Sequence, residues 1–143
     1  MVVNFKKINK DAITPKKATD GSNGFDLTAI AKRIGYDDKG NLLYIEYDTG
    51  IGFNIPSGFV GFAVSRSSVS KMGLSLCNSC GIIDTDFSNQ ISFRFYEVSK
   101  NAKHYQIGDR IGQILFIANP TFELVQTDEL VDVNRGAYGS TGQ

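Results

Sequence analysis

Gly81-Ile82-Ile83-Asp84-Thr85-Asp86-Phe87-Ser88-Asn89-Gln90-Ile91-Ser92-Phe93 sets two carboxylates, two residues apart, between apolar runs of strand character. Residues two apart on a strand face the same side, so Asp84 and Asp86 would repel one another unless a turn intervened. Ser88-Asn89 supplies that turn, since Asn tolerates positive φ. The segment therefore reads as a hairpin, with Ile82-Ile83-Asp84 on one arm and Ile91-Ser92-Phe93 on the other. Such a tip offers backbone donors and acceptors beside a carboxylate. The second arm continues as Arg94-Phe95, and its strict alternation buries Ile91, Phe93 and Phe95 while turning Arg94 the other way.

Short apolar or alternating runs punctuated by Gly, Asn and Asp recur along the chain with almost no helical periodicity, which predicts an all-β domain. Expected strands are Asp26 to Ala31, Leu42 to Glu46, Gly50 to Ile55, Val60 to Val64, Leu74 to Leu76, Ile91 to Val98, Ile111 to Ile117 and Thr121 to Leu124. Asp37-Asp38-Lys39-Gly40-Asn41 and Pro56-Ser57-Gly58 are turns. One short helix is expected, Ser68 to Met72, closed by Gly73. No repeat or interdomain linker is visible, so residues 1–133 form one domain and 134–143 a separate arm. That arm, Asn134-Arg135-Gly136-Ala137-Tyr138-Gly139-Ser140-Thr141-Gly142-Gln143, has no apolar pattern to fold with. It reads equally as a frayed terminus or as a flexible loop whose Arg, aromatic ring and hydroxyls close over a phosphorylated aromatic ligand.

A chain of 143 residues suits a single core burying roughly two thirds of the surface its unfolded form exposes. Fifteen basic and fifteen acidic residues cancel, which argues against a general nucleic-acid binder needing a strong positive field. Any anionic ligand is therefore met locally. Met1 to Lys7 lacks the apolar stretch of a signal peptide, and nowhere do about eighteen apolar residues run together, so a soluble cytoplasmic protein without membrane contact is expected. Cys77 and Cys80 could be a redox pair or half a zinc site, but no second pair exists and His104 stands alone. The blander reading makes them small residues of a buried strand, and His104 a surface loop residue.

Several polar islands punctuate the strands. Arg66-Ser67-Ser68 after an apolar run, with backbone N–H groups, two hydroxyls and a guanidinium, makes a local anion site or, more plainly, a helix cap. Gly108-Asp109-Arg110-Ile111-Gly112-Gln113 opens another strand, where Asp109 and Arg110 could simply form a surface ion pair. Gly24-Phe25-Asp26-Leu27 is a Gly-rich strand entrance without the Lys or spacing of a P-loop.

Five islands in order, Gly24-Phe25-Asp26-Leu27, Arg66-Ser67-Ser68 with Gly73, Gly81-Ile82-Ile83-Asp84 with Phe87, Gly108 to Gln113, and Arg135-Gly136 with Gly139 to Gly142, resemble the trimeric dUTP diphosphatase family over nearly the whole chain. Thr49-Gly50-Ile51 and Ile55-Pro56-Ser57-Gly58-Phe59-Val60-Gly61 resemble the stretch before that family's second motif. The resemblance implies a distorted jelly-roll β-barrel, a homotrimer with active sites shared between subunits, and Mg²⁺-dependent cleavage of dUTP to dUMP and diphosphate. That reaction limits uracil in DNA and supplies dUMP for thymidylate. By the same resemblance Asp84 orients and deprotonates the water that attacks the α-phosphorus, and Asp86 is structural. Mg²⁺ is held by triphosphate oxygens and waters, with no direct protein ligand. Uracil is read by backbone groups of Ile83 and Ser92 and the Asn78 amide, and Phe87 packs under the deoxyribose. Arg66, Ser67, the Ser68 backbone and Gln113 hold the phosphates. Arg135, Ser140 and Thr141 close on the terminal phosphate and Tyr138 over the base.

This chain departs from the family pattern at several positions. Ser65 replaces a common Pro, Phe87 a usual Tyr, Asn89 a usual turn Gly, and Tyr138 a usual Phe, while the arm is two residues shorter than the commonest version. Similarly short arms are familiar from bacteriophage-type members. The nearest rival, dCTP deaminase of the same fold, needs a catalytic Glu where Ile91-Ser92-Phe93-Arg94 has Arg94. A second rival keeps the nucleotide pocket but acts as a nucleotide-gated regulatory binding protein.

Overall fold

Alternation in the sequence becomes two facing sheets. A computed structural model describes residues 1–128. Among these are ten strands and one short helix: β1 Asn4–Lys7, β2 Phe25–Thr28, β3 Ala31–Tyr36, β4 Leu42–Asp48, β5 Ile51–Asn54, β6 Phe59–Ser65, α1 Val69–Met72, β7 Leu74–Leu76, β8 Gly81–Ile83, β9 Ser92–Glu97 and β10 Arg110–Ala118. One sheet has the order β2-β10-β6-β8 and the other β3-β4-β9-β7, with β1-β5 as a short ribbon beside them, and every pairing is antiparallel. The expected all-β jelly-roll architecture is thus what the chain adopts.

Inward residues of both sheets form one core. Phe93 and Phe95 are buried while Ser92 and Arg94, which alternate with them, are exposed, as the pleat requires. Around Phe95 pack Tyr47 and Tyr105 at ring distances of 6.0 and 5.6 Å, with Leu27, Ile45, Ile111 and Ile114 fully enclosed. Each such side chain contributes about 1.5–3 kcal/mol through burial. Gly112 on β10 exists for this packing, because a Cβ there would enter the Phe93 ring. The turn at Asp37 is closed by Lys39 and Asn41 N–H groups donating to Oδ1. The helix ends at Gly73, whose φ of 65° only glycine adopts cheaply. No helix among the described residues is long and apolar enough to cross a membrane.

Several expectations need correction. Ile82-Ile83-Asp84 and Ile91-Ser92-Phe93 are not the arms of one hairpin: β8 pairs with β6, and β9 with β4 and β7 in the other sheet. Each arm satisfies its backbone with a sequence-distant partner, so the stretch between them is a crossover from sheet to sheet. Its tight turn comes at Asp84, whose carbonyl accepts from Phe87 N–H at 3.2 Å, and Asn89 does not adopt positive φ. The expected strand Asp26 to Ala31 is split, β2 ending at Thr28 and β3 beginning at Ala31 in a different sheet. Thr121 to Leu124 is exposed and forms no strand. Cys77 and Cys80 are half-buried in the turn after β7 rather than within a strand, and both are free thiols.

Candidate active site

Strand β10 lies between β2 and β6, and its register aligns three of the polar islands. Gln113 stands opposite both Asp26 and Val64, and Gly112 opposite both Leu27 and Ser65. Asp26, only 7% exposed, becomes the hub: Arg66 Nε donates to Oδ1 at 2.9 Å and Arg110 Nη1 to Oδ2 at 3.0 Å. One buried carboxylate therefore aims two guanidiniums, whose other N–H groups remain available to an anion. In the sequence Asp26 shows only as part of its Gly-rich island, because the arginines it holds lie 40 and 84 positions away. Asp109 and Arg110 do not pair with each other; Asp109 Oδ2 accepts from Gln106 N–H at 2.7 Å. Ser68 begins α1 but makes no side-chain cap, while Ser67 is exposed. Arg66, Ser68, Met72, Tyr105, Asp109 and Arg110 line a polar cleft of about 240 Å³. Gln113 leans toward Gly24, where a side chain would collide with its carboxamide.

A second cleft, of about 480 Å³, lies on the β4-β9 side and is lined by Glu46, Cys77, Asn78, Phe87, Ser92 and Arg94. It brings together three residues expected to read base and sugar: Asn78, Phe87 and Ser92. Its floor was not anticipated. Glu46 accepts from both Arg33 and Arg94, Asp48 from Arg33 and from Ser92 Oγ at 2.7 Å, and the Arg94 guanidinium lies 4.5 Å over the Tyr44 ring. Burial pushes the Glu46 carboxyl up, but the two arginines outweigh it and hold it below its ordinary value. Burial likewise pushes the Cys77 thiol up, which disfavours a reactive thiolate there.

Asp84 is exposed at the end of β8, and Ile83 before it is half-buried against the core. Gly61 faces Ile83 in the β6–β8 pairing, so Asp84 falls level with Val60, six strand positions from Arg66. At about 3.3 Å per residue that separation is roughly 20 Å. Within one chain, then, the carboxylate and the guanidinium cleft do not meet. Arg135, Tyr138, Ser140 and Thr141 lie outside the described residues. A third cleft, about 400 Å³ and lined by side chains including Phe5, Phe25, Phe53, Phe59 and Phe116, carries no ionisable side chain and offers no chemistry.

The antiparallel fold carries a polar cleft lined by two guanidiniums and a separate cleft that includes an amide, a hydroxyl and an aromatic ring. A family model described as dUTPase matches residues 10–142. The chain belongs to the dUTPase family. It is 31% identical, over the whole of both chains, to a deoxyuridine 5'-triphosphate nucleotidohydrolase of Nautilia profundicola. It is 32% identical to another from Tropheryma whipplei, covering 94% of this chain and 92% of that one. In fold it is similar to the dUTPase of Staphylococcus bacteriophage 80alpha solved with dUPNHPP, with a TM-score of 0.80 at 21% identity over 99% of each chain. A phage phi11 dUTPase variant described with a structural Mg(II) ion has a TM-score of 0.73 at 18% identity, covering 90% of this chain and 98% of that one.

Proposed function

We infer that the chain hydrolyses dUTP to dUMP and diphosphate, and that it does so at sites shared between copies of itself. The family and the named relatives support the activity. The observation that carries the shared site is the β6–β8 register. A general base must lie within hydrogen-bond reach of the water it activates, directly or through one water. A base roughly 20 Å from the phosphate-holding guanidiniums cannot serve the same triphosphate. Bringing Asp84 of one copy to the Arg66 cleft of another in a closed ring resolves this, and a homotrimer is the assembly proposed.

Uracil enters the cleft of Asn78 and Ser92, read by the Asn78 amide and the backbone at Ile83 and Ser92. A rigid slot rejects the thymine methyl sterically and cytosine by reversed hydrogen-bond polarity. Phe87 packs against the deoxyribose and leaves no room for a 2′-hydroxyl. Asp84 orients a water in line with the α-phosphorus and takes its proton as the P–O bond to the leaving diphosphate breaks. Arg66, Ser67, Ser68 and Gln113 hold the phosphates, with Asp26 aiming Arg66. The 134–143 arm, carrying Arg135, Tyr138, Ser140 and Thr141, closes over the nucleotide.

Mg²⁺ is the proposed cofactor. Among the described residues no three His, Cys, Asp or Glu side chains converge to hold an ion, and the Asp26 oxygens are engaged by arginines. This donor set fits a cation carried by triphosphate oxygens and waters, where it supplies charge neutralisation. The product dUMP suits thymidylate synthesis, and removal of dUTP limits uracil in DNA.

Diphosphate release from dUTP, UTP, dTTP, dCTP and dATP tests the reading. Only dUTP should turn over, and Asp84→Asn should lower the rate by at least about 100-fold while Asp86→Asn does not. Ammonia released from dCTP with dUTP left intact would establish the deaminase instead. Tight dUTP binding without turnover would establish a regulatory module.

A further inference from the structure

We propose that the Tyr105 hydroxyl is a positioning group for the phosphate-binding segment: when phosphate is bound it donates a hydrogen bond to Ser68 Oγ, locking Arg66–Ser68 against the turn at Asp109 and the start of β10 at Arg110. Ser68 then directs its own proton to a phosphate oxygen. The proposal rests on reading this cleft as the phosphate side of a dUTP site.

Two uncommitted hydroxyls point to it. Tyr105 is 4% exposed, and its Oη is the one buried side-chain polar atom among the described residues without a hydrogen-bond partner. Its ring cannot turn away, being held edge-on by Tyr47 at 5.9 Å and tilted against Phe95 at 5.6 Å, while its carbonyl accepts from Tyr47 O–H at 3.2 Å. Ser68, lining the same cleft, stands at the start of α1 yet makes no capping bond. Burial pushes the Tyr105 pKa up, which keeps its hydroxyl protonated and able to donate. Ser68 and Tyr105 line the same cleft, yet Tyr105 Oη has no hydrogen-bond partner. A buried donor with no acceptor is costly to keep, and a small shift of Ser68 on ligand binding removes that cost. In the completed chain each O–H polarises the next, so Ser68 becomes a better donor to phosphate.

Tyr105→Phe removes only the hydroxyl and separates this role from packing. The thermal midpoint should stay level or rise, because an unsatisfied buried group is deleted. KM for dUTP and the Kd of non-hydrolysable dUPNHPP should rise about 5- to 10-fold, one hydrogen bond's worth, with kcat within about twofold and dUMP affinity unchanged. In a Ser68→Ala background, Tyr105→Phe should add nothing further. Unchanged analogue affinity, an equal loss of dUMP affinity, or fully additive losses in the double variant would each overturn the proposal. If the wild type binds dUPNHPP but does not turn over dUTP, the enzymatic reading fails while the affinity comparison still decides the role of Tyr105.

Discussion

Asp26→Asn is the perturbation that the phosphate cleft should feel most sharply. The carboxylate offers one oxygen to each guanidinium, Arg66 at 2.9 Å and Arg110 at 3.0 Å. Asn has only one acceptor, so whichever arginine loses the oxygen faces an NH₂ donor instead. A charge-assisted hydrogen bond contributes about 1.5–3 kcal/mol, and the Arg66 side chain, 26% exposed, retains much of that. Arg110, 53% exposed, is screened by solvent and adds at most about 1 kcal/mol. The expected loss is therefore about 2–3 kcal/mol, which for a domain of this size is roughly 5–10 °C in Tm. Function should suffer more than stability, because a guanidinium released from its hub no longer aims at phosphate: kcat/KM for dUTP should fall at least about 30-fold. Thermal unfolding and steady-state diphosphate release on the same preparation measure both. A variant melting within about 1 °C of the parent, with kcat/KM unchanged, would refute the hub reasoning.

Acid should weaken the fold through the β3-β4-β9 face. Burial opposes ionisation of Glu46 and Asp48, yet arginine and serine donors outweigh it, leaving both carboxyls below their ordinary values of 4.5 and 3.8. Depressed folded-state pKa values mean stability that is present above the ordinary values and is lost as pH falls through the folded ones. Urea midpoints should hold from about pH 7 to about pH 5 and decline below, and Glu46→Gln should flatten that decline; an unaltered acid slope would contradict the assignment. Phe87→Ala should lower the preference for dUTP over UTP by about 10-fold, read from the ratio of kcat/KM values, because the wall that excludes the 2′-hydroxyl is gone. Gly24→Ala should push Gln113 aside and raise KM for dUTP a few-fold with little change in Tm, since a flexible carboxamide yields rather than the backbone.

Local pattern made much of this architecture legible. Strict alternation from Ile91 to Phe95 gave β9 and the orientation of Arg94, and Gly73 marked the end of α1. Strand β1 was missed because Asn4–Lys7 is exposed throughout and shows no buried face to detect. The hairpin reading failed for a different reason. Adjacent strand-like runs usually pair, but β8 and β9 find partners in separate sheets, and long-range pairing leaves no local trace. Among the site residues, Asn78, Phe87 and Ser92 do share one cleft, and Arg66 and Ser68 another. The roles of Asp26 and Glu46 were not legible in the sequence because they arise from partners brought in by the fold. Ordered polar islands revealed the family, whereas the register of β6 against β8 shows that one chain keeps its carboxylate and its guanidiniums apart.

Subunit complementation tests the shared site most directly. Asp84→Asn and Arg66→Ala proteins, each inactive alone toward dUTP, are unfolded together, refolded as a mixture and assayed for diphosphate release. If every site takes Asp84 from one copy and Arg66 from another, random 1:1 assembly restores about a quarter of wild-type activity, because about a quarter of sites then carry both native residues. Activity in the mixture no higher than in either variant alone, with mixed oligomers confirmed by mass, would place both residues in one chain and contradict the account.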